Sequence, residues 1–364
     1  MKVIISGGGT GWHIHPALAI ADALKKQDAA HDILFVGASG KAEMQQVPSA
    51  GYAIEGLAIR GLQRRHVWRN VTLPFRVTMS LWQAHGILKK FAPDVVVGTG
   101  GYASIPILLK AAQAGIPTLI QEQNAHAGIA NRTLGKLVDR VCVAYPGMEH
   151  YFPATKLVMT GNPVRDAILQ PTATKSAALE HFGLTSGKCV LILGGSLGAK
   201  NINESTHNML EALVEEHVQV LWSTGPTYYE HIQERLTLRQ RKWVRVHPFI
   251  KEMALAYAAA DVVVSRAGAL AISELCAVQK PTILIPSPNV TADHQNKNAR
   301  PLVQQGAALI VHDAEAPHML SQALLQLVND KAQQAKLSQN MQAFARPNAV
   351  AEIVQKIHSL AKTP

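Results

Sequence analysis

The side chains best suited to chemistry in this sequence gather around glycines. The stretch Asp261-Val262-Val263-Val264-Ser265-Arg266-Ala267-Gly268-Ala269-Leu270-Ala271-Ile272-Ser273-Glu274 reads as a buried apolar strand, a glycine turn and the start of a helix carrying a carboxylate. Free backbone N–H groups and the positive end of a helix dipole favour an anion at such a turn. Glu274 suits ribose hydroxyls, as acidic residues do in nucleotide-binding folds. By itself the stretch also reads as an ordinary strand–helix unit with a solvated glutamate. Two further loops are glycine-rich, Gly7-Gly8-Gly9-Thr10-Gly11 and Gly194-Gly195-Ser196-Leu197-Gly198. Neither is followed by the Gly-Lys-Ser/Thr of a Walker loop, and Trp12 breaks the Gly-x-Gly-x-x-Gly spacing of a dinucleotide site. ATPase and dehydrogenase chemistry are disfavoured. What remains is close backbone approach followed by a helix N-terminus, which suits phosphate, or else a tight turn with no ligand. His13 and His15 flank the first loop. An imidazole titrates near neutrality, so His13, which adjoins the turn, is the candidate general base; packing or capping is its plainer role. No set of His, Cys, Asp and Glu has metal-ligand spacing, so no protein-held metal is expected, and no serine sits in a nucleophile elbow.

Groups this scattered need a scaffold, and the hydrophobic pattern supplies one. Val3-Ile4-Ile5, residues 32–37, Asp94-Val95-Val96-Val97 and residues 116–120 read as strands separated by helical segments. The second half repeats this: residues 189–193, then Asp261-Val262-Val263-Val264 answering Asp94-Val95-Val96-Val97, and Pro281 answering Pro117 at nearly the same offset. The fold class expected is α/β, a duplicated pair of doubly wound parallel sheets with a ligand cleft at their facing strand ends. At 364 residues the chain exceeds the usual size of one core. The join is placed at Gly161-Asn162-Pro163-Val164-Arg165, giving domains 1–162 and 163–344, with the amphipathic tail 345–364 a candidate to complete the first. Three widely spaced cysteines form no framework and fit a reducing compartment. Met1 to Gly7 reaches glycines too soon for a signal-peptide core, and no apolar run is long enough to span a bilayer.

The net charge of +10 is uneven, with 17 Lys and Arg against 9 Asp and Glu up to Arg165. Between Gly56 and Pro93 there is no acidic residue, while Arg60, Arg64, Arg65, Arg69, Arg76, Lys89 and Lys90 alternate with Trp68, Phe75, Met79 and Trp82. Basic residues mixed with large apolar ones read as a surface for anionic membrane or nucleic acid, or as a helix with a solvated basic face.

The loop Gly8-Gly9-Thr10-Gly11-Trp12-His13 with Pro16, then Gly100-Gly101-Tyr102, Gln121-Glu122-Gln123-Asn124, Gly161-Asn162-Pro163-Val164-Arg165, Gly194-Gly195-Ser196, Ala269 to Glu274, and Asp293-His294-Gln295 with Asn298-Ala299 resemble, in that order, the bacterial peptidoglycan transferases of glycosyltransferase family 28. The resemblance implies a GT-B fold. It implies inverting transfer of N-acetylglucosamine from UDP-N-acetylglucosamine to an undecaprenyl-diphosphate-linked muramyl pentapeptide, with no cofactor and no metal. It places the donor sugar and diphosphate against Thr10, Gly11, Asn124, Arg165 and Ser196, and the uracil on the backbone of Ile250. Ala269, Leu270, Ala271, Ile272 and Ser273 would cradle phosphates and ribose, Glu274 would take the ribose hydroxyls, and Gln295 would read the sugar. Trp12 shares the first loop but stands where the family has glycine, so its indole either crowds that approach or swings out onto lipid.

A lipid acceptor also favours the membrane reading of residues 56–93 over nucleic acid. Trp68, Phe75, Met79 and Trp82 would insert while Arg64, Arg65 and Arg69 meet headgroups, on the cytoplasmic face of the inner membrane. Other readings remain at this stage: a related GT-B glycolipid transferase, a UDP-sugar epimerase, or a catalytically silent membrane-docking relative, which Trp12 keeps open. An epimerase needs acid and base carboxylates, and Glu122 is the only one the first half offers in a loop.

Overall fold

Runs such as Val95-Val96-Val97 and Val262-Val263-Val264 have no polar face, so strands built from them are stable only where helices cover both sides of the sheet. The computed structural model, which describes residues 1–8, 13–61, 71–170 and 173–361, places each run at the centre of a parallel sheet. The first sheet comprises β1 (Lys2–Gly7), β2 (Asp32–Ala38), β3 (Ala53–Leu57), β4 (Val95–Gly100), β5 (Thr118–Glu122), β6 (Arg140–Val143) and β7 (Leu157–Met159), in the order β3-β2-β1-β4-β5-β6-β7. The second comprises β8 (Lys188–Leu193), β9 (Val218–Ser223), β10 (Val244–His247), β11 (Val262–Ser265), β12 (Thr282–Leu284) and β13 (Leu309–Ile310), in the order β10-β9-β8-β11-β12-β13. All pairings are parallel. Each strand order reverses once, between β1 and β4 and between β8 and β11, and a doubly wound sheet binds ligands where that happens.

The repeat seen in the sequence has a physical counterpart at the other end of the strands. Asp94 Oδ2 accepts the backbone N–H of Lys2 at 2.7 Å, and Asp261 Oδ2 accepts that of Cys189 at 2.9 Å. In both sheets the aspartate ahead of the fourth strand thus ties down the start of the first. Lys175 donates to the same Asp261 oxygen at 2.6 Å.

The chain divides into two compact units, Met1–Val164 with Pro347–Pro364, and Arg165–Arg346. The tail forms the helix Ala349–Ala361, whose Val350, Ile353, Val354 and Ile357 pack with Ile14, Ala17, Ile20, Ala21 and Leu24 of the helix Ile14–Gln27 in the core of the first unit. Its pattern of buried residues four and three apart is that of one apolar face. The three cysteines are free and buried, and burial pushes each thiol up to about 12.

Ile353 is fully buried, so Ile353→Ala leaves a cavity and is expected to destabilise the first unit by about 2–5 kcal/mol. Exposed Gln355→Ala should stay within about 0.5 kcal/mol. Urea unfolding followed by the tryptophans of each unit separately reads both, and equal effects at the two positions would contradict this packing.

Candidate active site

In the first unit the strand ends at the β1/β4 reversal are locked together by backbone. Gly100 and Gly101 have φ of +100° and +82°, and a Cβ on Gly101 would collide with the Gly8 carbonyl oxygen. A Cβ on Gly7 would likewise collide with Thr99 Oγ1. Thr99, fully buried, donates its hydroxyl to the His13 carbonyl at 2.7 Å. His13 stands at the N-cap of the helix Ile14–Gln27, and its Nδ1 lies 2.9 Å from the Thr99 carbonyl oxygen and 3.2 Å from Gln123 Oε1. Burial lowers its pKa from the ordinary value, outweighing the pull of Glu122 and Glu43 in the other direction. The ring is therefore neutral at neutral pH and able to take a proton.

Glu122 lies close by but plays another part. Its buried carboxylate accepts N–H groups from the Asn124 backbone (3.0 Å), Asn124 Nδ2 (3.3 Å), the Gly128 backbone (3.0 Å) and Asn131 Nδ2 (2.9 Å). Such a carboxylate organises the loop after β5 and fixes Asn124; it is not a solvent-facing acid or base.

In the second unit, β11 runs into Gly268 and the helix Ala269–Val278, whose first intrahelical bond joins Ile272 N–H to the Gly268 carbonyl. The amides ahead of that bond point beyond the helix end. Glu274, one turn in, accepts the Tyr257 hydroxyl at 3.0 Å and sits 3.6 Å from Arg165 Nη2. Burial raises the Glu274 pKa against the opposing effects of Arg165 and Tyr257. Arg165 and Glu274, assigned separate tasks on the sequence, are thus neighbours. Ser273 turns its hydroxyl back to the Ala269 carbonyl at 3.0 Å. Ala269 and Ile272 are buried, while Leu270 and Ala271 are half-buried. Ile250 is buried beside Phe249, which is exposed. Ser196 is exposed in the turn that opens at Gly195. Gln295 is only 3% exposed and its Oε1 accepts the Ser287 N–H at 2.8 Å, so that oxygen shapes the loop after β12.

Thr10, Gly11 and Trp12 in the first loop, and Arg64, Arg65, Trp68 and Arg69 in the basic stretch, lie outside the described residues. On the helix Leu73–Phe91, Phe75 is 70% and Trp82 74% exposed, two turns apart on one face, with Val71 and Val77 exposed as well. Met79 is half-buried, bordering the buried face of Ser80, Ala84, Ile87 and Leu88. Sequence reasoning also missed Arg266. Its guanidinium pairs with Asp313 and donates to the Ile285 carbonyl (3.1 Å) and the Pro286 carbonyl (3.3 Å), and Asn201 Nδ2 holds Asp313 at 2.7 Å. This knot ties the ends of β11 and β12 to the start of the helix Lys200–Glu215 under the second glycine loop. Only the position of an arginine between a strand and a glycine hinted at it. Among the described residues no group of three or more His, Cys, Asp and Glu is arranged to hold a metal.

Comparison with known proteins gives a consistent picture. Residues 3–143 match the glycosyltransferase family 28 N-terminal domain and residues 189–355 its C-terminal domain. A UDP-N-acetylglucosamine–N-acetylmuramyl-(pentapeptide) pyrophosphoryl-undecaprenol N-acetylglucosamine transferase of Amoebophilus asiaticus is 49% identical, covering 99% of this chain and 100% of its own. The protein of the same name from Cytophaga hutchinsonii is also 49% identical, covering 100% and 97%. Among solved structures, MurG of Acinetobacter baumannii aligns with TM-score 0.76 and 29% identity over 98% of this chain and 99% of that one, which makes the fold GT-B. A UDP-N-acetylglucosamine 2-epimerase aligns with TM-score 0.67 at 14% identity over 100% and 97%, a likeness of fold alone.

The glycine contacts generate a comparison of two residues with similar backbone. Gly115, at φ +70°, has open space where a Cβ would go, so Gly115→Ala should cost only the left-handed penalty of about 1–2 kcal/mol. Gly101→Ala adds a collision with backbone and should cost several-fold more, with loss of activity. Thermal unfolding of the two variants checks this, and equal losses would refute it.

Proposed function

The chain belongs to glycosyltransferase family 28, and from that premise we infer that it transfers N-acetylglucosamine from UDP to the 4-hydroxyl of an undecaprenyl-diphosphate-linked N-acetylmuramyl pentapeptide. The observation that carries this reading is the 49% identity, over 99% of this chain, to a transferase named for that donor and acceptor. Glu122 supports it against an epimerase, because this carboxylate at the end of β5 is buried and met by four N–H donors.

The chemistry is a displacement at the anomeric carbon. The muramyl oxygen forms the new bond, the bond to the donor's β-phosphate oxygen breaks, and that electron pair leaves on UDP. His13 takes the hydroxyl proton, a task suited to an imidazole kept neutral by burial. The amides at the start of the helix Ala269–Val278 face the diphosphate, and Arg165 lends a positive charge to the same unit. Glu274 receives the ribose hydroxyls, its other side steadied by Tyr257. Within the second unit Ser196, Ile250 and Gln295 complete the donor's surroundings, Gln295 through the loop it shapes.

No helix among the described residues is long and apolar enough to cross a membrane. Contact with the anionic membrane that holds the acceptor is assigned to the helix Leu73–Phe91, where Phe75 and Trp82 project beside Arg76, Lys89 and Lys90. Changing Phe75 and Trp82 together to serine should cut co-sedimentation with anionic vesicles at least several-fold; unchanged binding would move the contact elsewhere.

Two measurements test the reaction. UDP should be released from UDP-N-acetylglucosamine only when a short-chain muramyl lipid is present, and release with a diacylglycerol acceptor instead would sink the reading. The acid limb of kcat/KM should have its midpoint below the ordinary imidazole value of about 6.5, because burial lowers the His13 pKa and the neutral, basic ring survives further into acid. His13→Gln should lower kcat by about 10²–10⁴-fold.

A further inference from the structure

The residue proposed as base is held by a neighbour that neither carries charge nor stands out in composition. Nδ1 of His13 faces the Thr99 carbonyl oxygen at 2.9 Å and Gln123 Oε1 at 3.2 Å, and each of these oxygens can only accept. The far end of the Gln123 amide settles which of its atoms is oxygen. Its Nε2, with two hydrogens, lies among three acceptors, the Thr99 carbonyl at 2.8 Å, the Gln121 carbonyl at 3.0 Å and Gln121 Oε1. Gln121 Nε2 donates onward to Asn162 Oδ1 at 2.9 Å, and Asn162 Nδ2 returns to the Gln123 carbonyl at 3.1 Å. Gln121, Gln123 and Asn162 are 0%, 3% and 2% exposed. Turning one amide over would set oxygen against oxygen in a buried place, so the orientation is shared by the whole chain of amides.

The ring itself has one berth. A Cβ on Gly100 would lie 2.9 Å from His13 Cε1 and Nδ1, and one on Gly101 would lie 3.1 Å from Cδ2. Two glycines thus let the imidazole lie against bare backbone, with Nδ1 directed at the two acceptors. A nitrogen between two acceptors carries the hydrogen, which leaves the lone pair of the neutral ring on Nε2.

We propose that Gln123 is a positioning residue for the transfer: together with the Thr99 carbonyl it holds His13 as the Nδ1–H tautomer, and so makes Nε2 the atom that takes the acceptor's proton. The proposal deepens the reading of His13 as base and rests on it. The choice of an amide over a carboxylate at this position has a consequence. An amide oxygen orients the ring without the full negative charge that would keep it protonated at rest. The charged groups around the ring are Glu122, at the end of β5, and Glu43, on the helix Glu43–Ser49, and burial outweighs both. A third carboxylate touching Nδ1 would reverse that balance.

The test uses the full-length enzyme with UDP-N-acetylglucosamine and a short-chain muramyl lipid. Imidazole ¹⁵N spectra of His13, assigned by its loss in His13→Gln, should show a neutral ring protonated on Nδ1 at neutral pH. In Gln123→Glu the His13 midpoint and the acid limb of kcat/KM should rise together by about one to two pH units, with KM for UDP-N-acetylglucosamine within about twofold. In Gln123→Met, which keeps the bulk and removes both hydrogen-bonding ends, the Thr99 carbonyl still holds the hydrogen on Nδ1, and kcat should fall about tenfold or more as the ring loses its second anchor, with KM for UDP-N-acetylglucosamine within about twofold. That variant also decides the matter if Gln123→Glu does not fold. A wild-type ring protonated on Nε2, or a Gln123→Glu whose titration and acid limb both stay in place, overturns the proposal. Full activity in His13→Gln overturns the base and the positioning role together, whereas an inactive His13→Gln beside an unmoved Gln123→Glu acid limb overturns Gln123 alone.

Discussion

Backbone passing backbone closer than any side chain permits is the constraint on which both strand-end regions depend. In the first unit Gly101 lies against the Gly8 carbonyl, with the Gly8 N–H directed to the Gly100 carbonyl at 3.4 Å. In the second, Gly198 lies against the Thr224 carbonyl and Gly225 against the Gly198 backbone. Gly100, Gly101, Gly198 and Gly225 all have positive φ, so two independent requirements, dihedral and space, meet at the same residues. His13 has its berth only because Gly100 and Gly101 present no Cβ to its ring.

With the backbone so placed, polar groups around His13 in the first unit are arranged chiefly as dipoles. Thr99, Gln121, Gln123 and Asn162 are neutral and buried, and the buried carboxylate of Glu122 is met by four N–H groups. A hydrogen bond between neutral groups orients a partner at a net worth of about 1 kcal/mol, whereas an ionised neighbour shifts a buried titrating group by one to several pH units. An imidazole proposed as a base at neutral pH is better aimed by amides than by charges. The second unit follows a different rule. There Arg266 is matched by Asp313 and Arg165 by Glu274, so full charges stand in pairs near the helix end proposed for the diphosphate.

What the sequence revealed and what it concealed divide along the same physical line. Strands buried on both faces announce themselves as continuous β-branched runs, so β1, β4, β8 and β11 were legible, as was the duplicated Asp-Val-Val-Val. β7 and β13 have three and two residues and lie at sheet edges, and segments that short carry no period to read. Among candidate site residues, those tied to local geometry could be placed: the glycines of the loops, the helix start at Ala269, the histidine after the turn. Partnerships across the fold could not. The 110 residues between His13 and Gln123 and the pairing of Arg165 with Glu274 leave no trace in spacing. The amphipathic surface was legible as composition, but the half-burial of Met79 depends on how the helix Leu73–Phe91 is rotated against the core.

The duplication makes one difference between the halves informative. In both, an aspartate before the fourth strand anchors the first, so the sheets begin alike. They end differently. The first unit's glycine loop closes across the strand reversal, on the loop after β4, and the room there is taken by an imidazole. The second unit's loop closes sideways, on the loop after β9, away from its reversal. Above β11 a Cβ on Gly195 would meet nothing nearer than Arg266 Cγ, at 4.0 Å. In one half an imidazole therefore occupies the room beside the strand reversal, whereas in the other the glycine loop packs on the loop after β9.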